Sequence, residues 1–207
     1  MNITLRVISV TIAIIVLSFV TGCAKKVEFF HGGMPDFKPG PAGGADFVDI
    51  KRGVDLSSYK MMMVEPLSMH FDSPEQYTAI PGNELKDLRN DFQNAIADAL
   101  GDAYPIVDSP RPDTLLLRVL ITGMVPSIPG ASTGDTQWKY LSAGGASMKV
   151  ELLDSLTRER IVAAMDTQTG MKHDPGQSMD KWVHARAAFK FWAGRLRQFL
   201  DSARGSK

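Results

Sequence analysis

Residues 147–165 read Ser-Met-Lys-Val-Glu-Leu-Leu-Asp-Ser-Leu-Thr-Arg-Glu-Arg-Ile-Val-Ala-Ala-Met, and this stretch decides the fold class. Met148, Val150 and Leu152 alternate with Lys149 and Glu151, so a strand over Ser147–Asp154 points its apolar set inward and its charged set out. The polar run from Asp154 to Arg158 is a turn, and Ile161, Ala163 and Met165 bring the chain back. Together they predict a β-hairpin.

Thr114 to Thr122 is dense in leucine and β-branched residues. Leu115, Leu117, Val119 and Ile121 form one buried face, with Arg118 on the other. Tyr59 to Val64, continued after Pro66 by Leu67, Met69 and Phe71, reads as a strand interrupted at the proline. A short strand is also expected at Ile106-Val107.

Two helices complete the pattern. Leu85, Leu88, Phe92, Ala95, Ile96 and Ala99 share a face at three- and four-residue spacing, with Asn83 as the expected cap and Gly101 as the stop. Trp182, Phe189, Trp192, Ala193, Leu196, Phe199 and Leu200 do the same between Asp180 and Ala203. The predicted architecture is α+β: an antiparallel sheet of about four to five strands with two helices packed on one face.

The chain before the domain carries an address. Arg6 precedes an apolar run from Val7 to Val20, and the run ends in Phe19-Val20-Thr21-Gly22-Cys23. About 14 residues of helix span roughly 21 Å, short of the ~30 Å hydrocarbon core, which suits a signal peptide better than a membrane span. Small residues before cysteine resemble the lipobox of bacterial lipoproteins, with Val20 where leucine is commoner. Cys23 is the single cysteine in 207 residues, and lipidation explains both its uniqueness and its place. The expected organisation is a signal peptide over 1–22, a lipid-anchored Gly/Pro-rich tether over 23–53 and an α+β domain over 54–203. Phe29, Phe30, Phe37 and Phe47 make that tether more aromatic than a spacer requires. Ala24 in place of aspartate implies, by the same resemblance, an outer-membrane lipoprotein facing the periplasm.

Asp55-Leu56-Ser57-Ser58-Tyr59 entering Val64-Glu65-Pro66, the Pro112-Asp113-Thr114 before the leucine strand, Gly144-Gly145-Ala146 and the Leu153-Asp154 strand end resemble a bacterial lipoprotein family. That family is known as domain of unknown function 3313. It has no established activity, so the resemblance implies an envelope lipoprotein and transfers no site residue.

Gly130-Ala131-Ser132-Thr133-Gly134 matches the nucleophile-elbow pattern of serine hydrolases, and Asp154 or Asp166, then His173 or His184, follow in order. Pro126 and Pro129 separate Ser132 from the preceding strand, and no helical stripe follows it, so the elbow's mechanics are missing. The histidines have no metal-ligand spacing, and neither metal nor cofactor is expected. Losing Arg6 leaves 22 basic against 23 acidic residues, which excludes bulk nucleic-acid binding. Arg186, Lys190, Arg197 and Arg204 fall on one flank of the last helix, a candidate contact strip for anionic headgroups or an acidic partner, or else a solvated flank. Phe191 projects from the side opposite the aromatic face.

The expected function is a membrane-anchored, non-enzymatic binding or accessory module, with an envelope protein as candidate partner. A Ser132 hydrolase and a lipid- or ligand-carrying domain are the alternatives.

Overall fold

The computed structural model describes residues 29–71, 80–125, 145–169, 180 and 182–205. Its strands are β1 (Lys38–Pro39), β2 (Phe47–Ile50), β3 (Met61–Val64), β4 (Ser68–Met69), β5 (Thr114–Val125), β6 (Gly145–Asp154) and β7 (Arg160–Thr169). Its helices are α1 (Gly82–Leu100) and α2 (Val183–Gly205). The fold is α+β, with one sheet in the order β1-β2-β7-β6-β5-β3 and with β4 also paired to β5.

The sheet departs from expectation in two ways. It has seven strands rather than four or five, and it is mixed, because β3 and β4 run parallel to β5. Parallel pairing follows from the connection: α1 carries the chain from β4 back to the start of β5, as a crossover helix does. The extra strands β1 and β2 come from residues assigned by sequence to the tether. β2 pairs antiparallel with β7, from Phe47 opposite Met165 to Ile50 opposite Val162. The folded part therefore begins well before Asp55. Ile106 forms only an isolated parallel bridge to Met62.

The hairpin forms as expected, but with its second strand turned over. Opposite residues in a sheet share a face, so Leu117, Leu152, Val162 and Ile50 form one row across β5, β6, β7 and β2. Val119, Val150, Ala164 and Val48 form the next. A register shift between Leu152 and Leu153 turns Val162, Ala164 and Asp166 to the helix side, while Ala163 and Met165 face the other way. Arg158, at φ 60°, makes the turn.

Both helices lay their apolar stripes on this inner face, where Leu88, Phe92 and Leu100 of α1 and Phe189, Trp192 and Leu200 of α2 are buried. The rings of Phe92 and Phe189 meet edge to face with centroids 5.5 Å apart, which sets the positive edge of one ring against the negative face of the other. Asn83 does not cap α1: the cap position is Pro81, with no side-chain hydrogen bond, and Gly82 and Asn83 lie inside the helix. The Pro81 carbonyl accepts from the Glu84 and Leu85 N–H groups, so the first turn is closed by backbone alone. Gly101, at φ 50°, ends α1 as expected.

Candidate binding site

A cavity of about 360 Å³ lies between the inner face of the sheet, toward β2, and the helices. Its floor is the two aliphatic rows just described, and its roof includes Phe92 and Ile96 of α1 and Trp192, Leu196 and Phe199 of α2. Residues 41–45, between β1 and β2, form one wall. That volume is at the small end of the range for ligand sites, ~300–1,000 Å³.

The charged groups on the wall are Asp166 and Arg195, and they answer each other. Asp166 is buried, with Arg195 Nη1 3.6 Å from Oδ1. Trp192 Nε1 donates to Oδ2 at 2.6 Å, Gln168 Nε2 to the same oxygen at 2.8 Å, and the Asp46 backbone N–H to Oδ1 at 3.2 Å. A buried carboxylate so supplied is already satisfied. Arg195 also donates to the Gly44 carbonyl and lies 4.1 Å from the Phe191 ring centroid, so Phe191 is partly covered by a cation–π contact. With its ionic pair internally matched, the cavity presents chiefly hydrocarbon.

The outer face of the sheet holds a second cluster. Glu151, expected to face solvent, is completely buried. It accepts from Arg118 Nη1 at 2.7 Å and from the His31 backbone N–H at 2.7 Å, and Arg160 Nη1 lies 3.6 Å away. Arg160 Nη1 also donates to the carbonyls of His31 and Gly33, at 2.6 and 2.7 Å. Residues 29–33 are thereby strapped across the outer face. Phe30 packs between Phe29 and Phe37, with centroids 5.3 Å apart in each pair, and Arg118 sits 5.2 Å from the Phe29 ring. Glu65 joins the network through Arg118 and Arg158.

The candidate contact strip is mostly engaged within the fold. Arg186 bridges Asp91 at 2.5 Å and also Asp180, contacts that hold its pKa above the usual arginine value, the hydrogen bond to Asp91 foremost. Arg197 donates to the carbonyls of Ala99 and Leu100, the last turn of α1, where a cation meets the negative end of the helix. Arg204 donates to the Ala103 and Tyr59 carbonyls and stacks 3.8 Å from the Tyr104 centroid. Lys190 is exposed. Three arginines that sequence placed on a flank thus clasp α2 to α1 and to the turns beside it.

Cys23, Ser132 and His173 lie outside the described residues. The two aspartates considered with Ser132 are placed: Asp166 beside Trp192, and Asp154 in the hairpin turn, accepting from Tyr59. His184 lies in the first turn of α2. Among the described residues, no group of three or more His, Cys, Asp and Glu is arranged to hold a metal. The sequence offered a pocket between sheet and helices only as part of the ligand-carrying alternative, with no lining residue named, and the buried Glu151 was not read from it at all. The aromatic excess at Phe29, Phe30 and Phe37 was the visible trace of the second.

A family model described as "Protein of unknown function (DUF3313)" matches residues 34–196. No curated protein matches the chain. Similar solved structures include a PelC dodecamer from Paraburkholderia phytofirmans, with 11% identity, 72% of this chain and 96% of that one covered, and a TM-score of 0.41. A DUF330 protein from Xanthomonas campestris has 11% identity, 71% and 88% coverage and a TM-score of 0.43. A DUF4136 family protein from Bacteroides thetaiotaomicron has 9% identity, 76% and 95% coverage and a TM-score of 0.38.

Proposed function

This chain belongs to the DUF3313 family, and on that premise we propose that it is a lipid-anchored, non-catalytic binding module of the cell envelope that holds an apolar ligand. The apolar run from Val7 to Val20 and the Val20-Thr21-Gly22-Cys23 sequence support the anchor, with Cys23 as the lipidated residue. Ala24 favours the outer membrane, with the domain facing the periplasm. Among the described residues, no helix is long and apolar enough to cross a membrane. An envelope protein remains the candidate partner for accessory work.

The observation that carries the binding role is the aliphatic cavity under α2, whose one ionic pair is internally satisfied. A polar metabolite would leave its own groups unpaired there, at about 1–3 kcal/mol each. A hydrocarbon chain gains about 0.8 kcal/mol for each methylene buried. The ligand class is therefore an acyl chain. Native mass spectrometry of the protein taken from its own membranes, with and without added long-chain fatty acid, tests this. A bound acyl species, displaced stoichiometrically by the added acid, is the expected result. A protein that stays empty in both samples would refute the ligand reading. Mass measurement of the Cys23 peptide tests the anchor, and an unmodified thiol there would refute it.

A further inference from the structure

We infer that the outer face of the sheet, the face crossed by residues 29–33, is the surface this molecule turns toward its membrane. The inference rests on the proposed anchor at Cys23 and adds an orientation to it.

The reason is the length of the leash. Residues 24–28 separate Cys23 from Phe29, where the strap begins. At ~3.3–3.6 Å per residue, the six steps from Cys23 to Phe29 reach at most ~20–22 Å. The strap is not a loose end. It is held by the buried Glu151 carboxylate on the His31 N–H, by Arg160 on two carbonyls, and by the Phe29, Phe30 and Phe37 cluster.

The helices lie on the opposite face. For them to meet the lipid, Phe29 would have to stand off by the thickness of the sheet and the helix layer, roughly 15–20 Å. That would draw the leash to nearly its full length, and an extended chain loses conformational entropy at every residue. With the outer face down, the leash is slack.

The chemistry of that face agrees. Met34, next after the strap, is 79% exposed, and Phe47 is 45% exposed on the outer side beside Met165 and Lys149. Aromatic and long basic side chains are well suited to the headgroup layer. The strap thus acts as a mount rather than a tether, with the apolar cavity on the far side of the sheet.

The test uses full-length lipidated protein in phosphatidylcholine vesicles whose headgroups carry a nitroxide quencher. A fluorophore is placed on Lys149→Cys in one sample and on Asp98→Cys of α1 in another, Cys23 being blocked by its lipid. We expect at least threefold stronger quenching at position 149. Equal quenching, or stronger quenching at position 98, would overturn the inference. Inserting about ten Gly/Ser residues after Lys26 lengthens the leash and should erase the difference; an undiminished difference would overturn the leash as its cause. The Cys23 mass is read on the same samples. An unlipidated cysteine means that the anchor reading has failed, whereas lipid with equal quenching means that only the orientation has.

Discussion

The Tyr59 hydroxyl donates to a carboxylate oxygen of Asp154 across 3.0 Å, although the two residues are 95 positions apart in the chain. It joins the Asp55–Tyr59 segment before β3 to the turn of the β6–β7 hairpin. Asp154 also accepts from the N–H groups of Leu156 and Thr157 and from the Thr157 hydroxyl. Burial pushes the Asp154 carboxyl up, but those donors together outweigh it and hold the group below its ordinary value. Burial, then the hydrogen bond to Asp154, push the Tyr59 phenol up to about 12.

The signs differ for the two groups. Asp154 binds its proton less tightly when folded, so its stabilising effect is complete above about pH 4 and is lost as pH falls through the lowered folded-state value. Tyr59 binds its proton more tightly when folded, so its effect is complete below about pH 10 and is lost as pH rises toward 12. Tyr59→Phe should cost about 1–2 kcal/mol in urea unfolding at pH 7. It should also flatten the alkaline limb of a Tm-versus-pH curve, though not fully, because burial raises Tyr104 as well. An unchanged alkaline limb would show that the pair does not carry it.

Trp192 supplies the shortest hydrogen bond to buried Asp166, at 2.6 Å. Trp192→Phe removes that donor and should destabilise the fold by about 2–3 kcal/mol. Adding Asp166→Asn to it should recover part of the loss, because a neutral amide costs less to leave partly unpaired. Chemical denaturation of the two variants reads this directly; additive losses would deny the coupling.

Val150 stands on the cavity floor. Val150→Phe should fill part of that space and weaken binding of a fluorescent long-chain fatty acid at least tenfold, with Tm held or raised by a few degrees. Unchanged affinity would place the ligand elsewhere.

The Thr114 hydroxyl is fully buried without a hydrogen-bond partner. Thr114→Val keeps the shape and removes the unpaired group, so it should raise stability by about 1 kcal/mol. A loss of stability in thermal unfolding would show that the hydroxyl is paired after all.

Periodicity made the helices, β5 and the hairpin legible, because each has one face in the core. It failed where a face is covered by something else. Lys149 and Glu151 do point away from the helices, as alternation requires, but the strap buries Glu151. In β7, polar Asp166 sits in the inner row, so the apolar pattern suggested Ala163 and Met165 instead. β2 is only Phe47–Ile50 among glycines and prolines, too short to show a period, and its place is set by β7 rather than by itself. The cavity's lining was not legible because it brings together β2, β5, β6, β7 and both helices, an assembly that no single segment records.

The same long-range closures govern when the molecule can fold. The His31 N–H finds Glu151, and the Asp46 N–H finds Asp166, each across 120 residues. These two backbone groups near the start of the chain therefore have no partner until the final hairpin follows them. Closing such loops late slows folding, as in any topology rich in distant contacts. The consequence is an order of assembly: β1 and β2 can pair with each other early, but the sheet they belong to is completed only after β7, its last strand, has arrived.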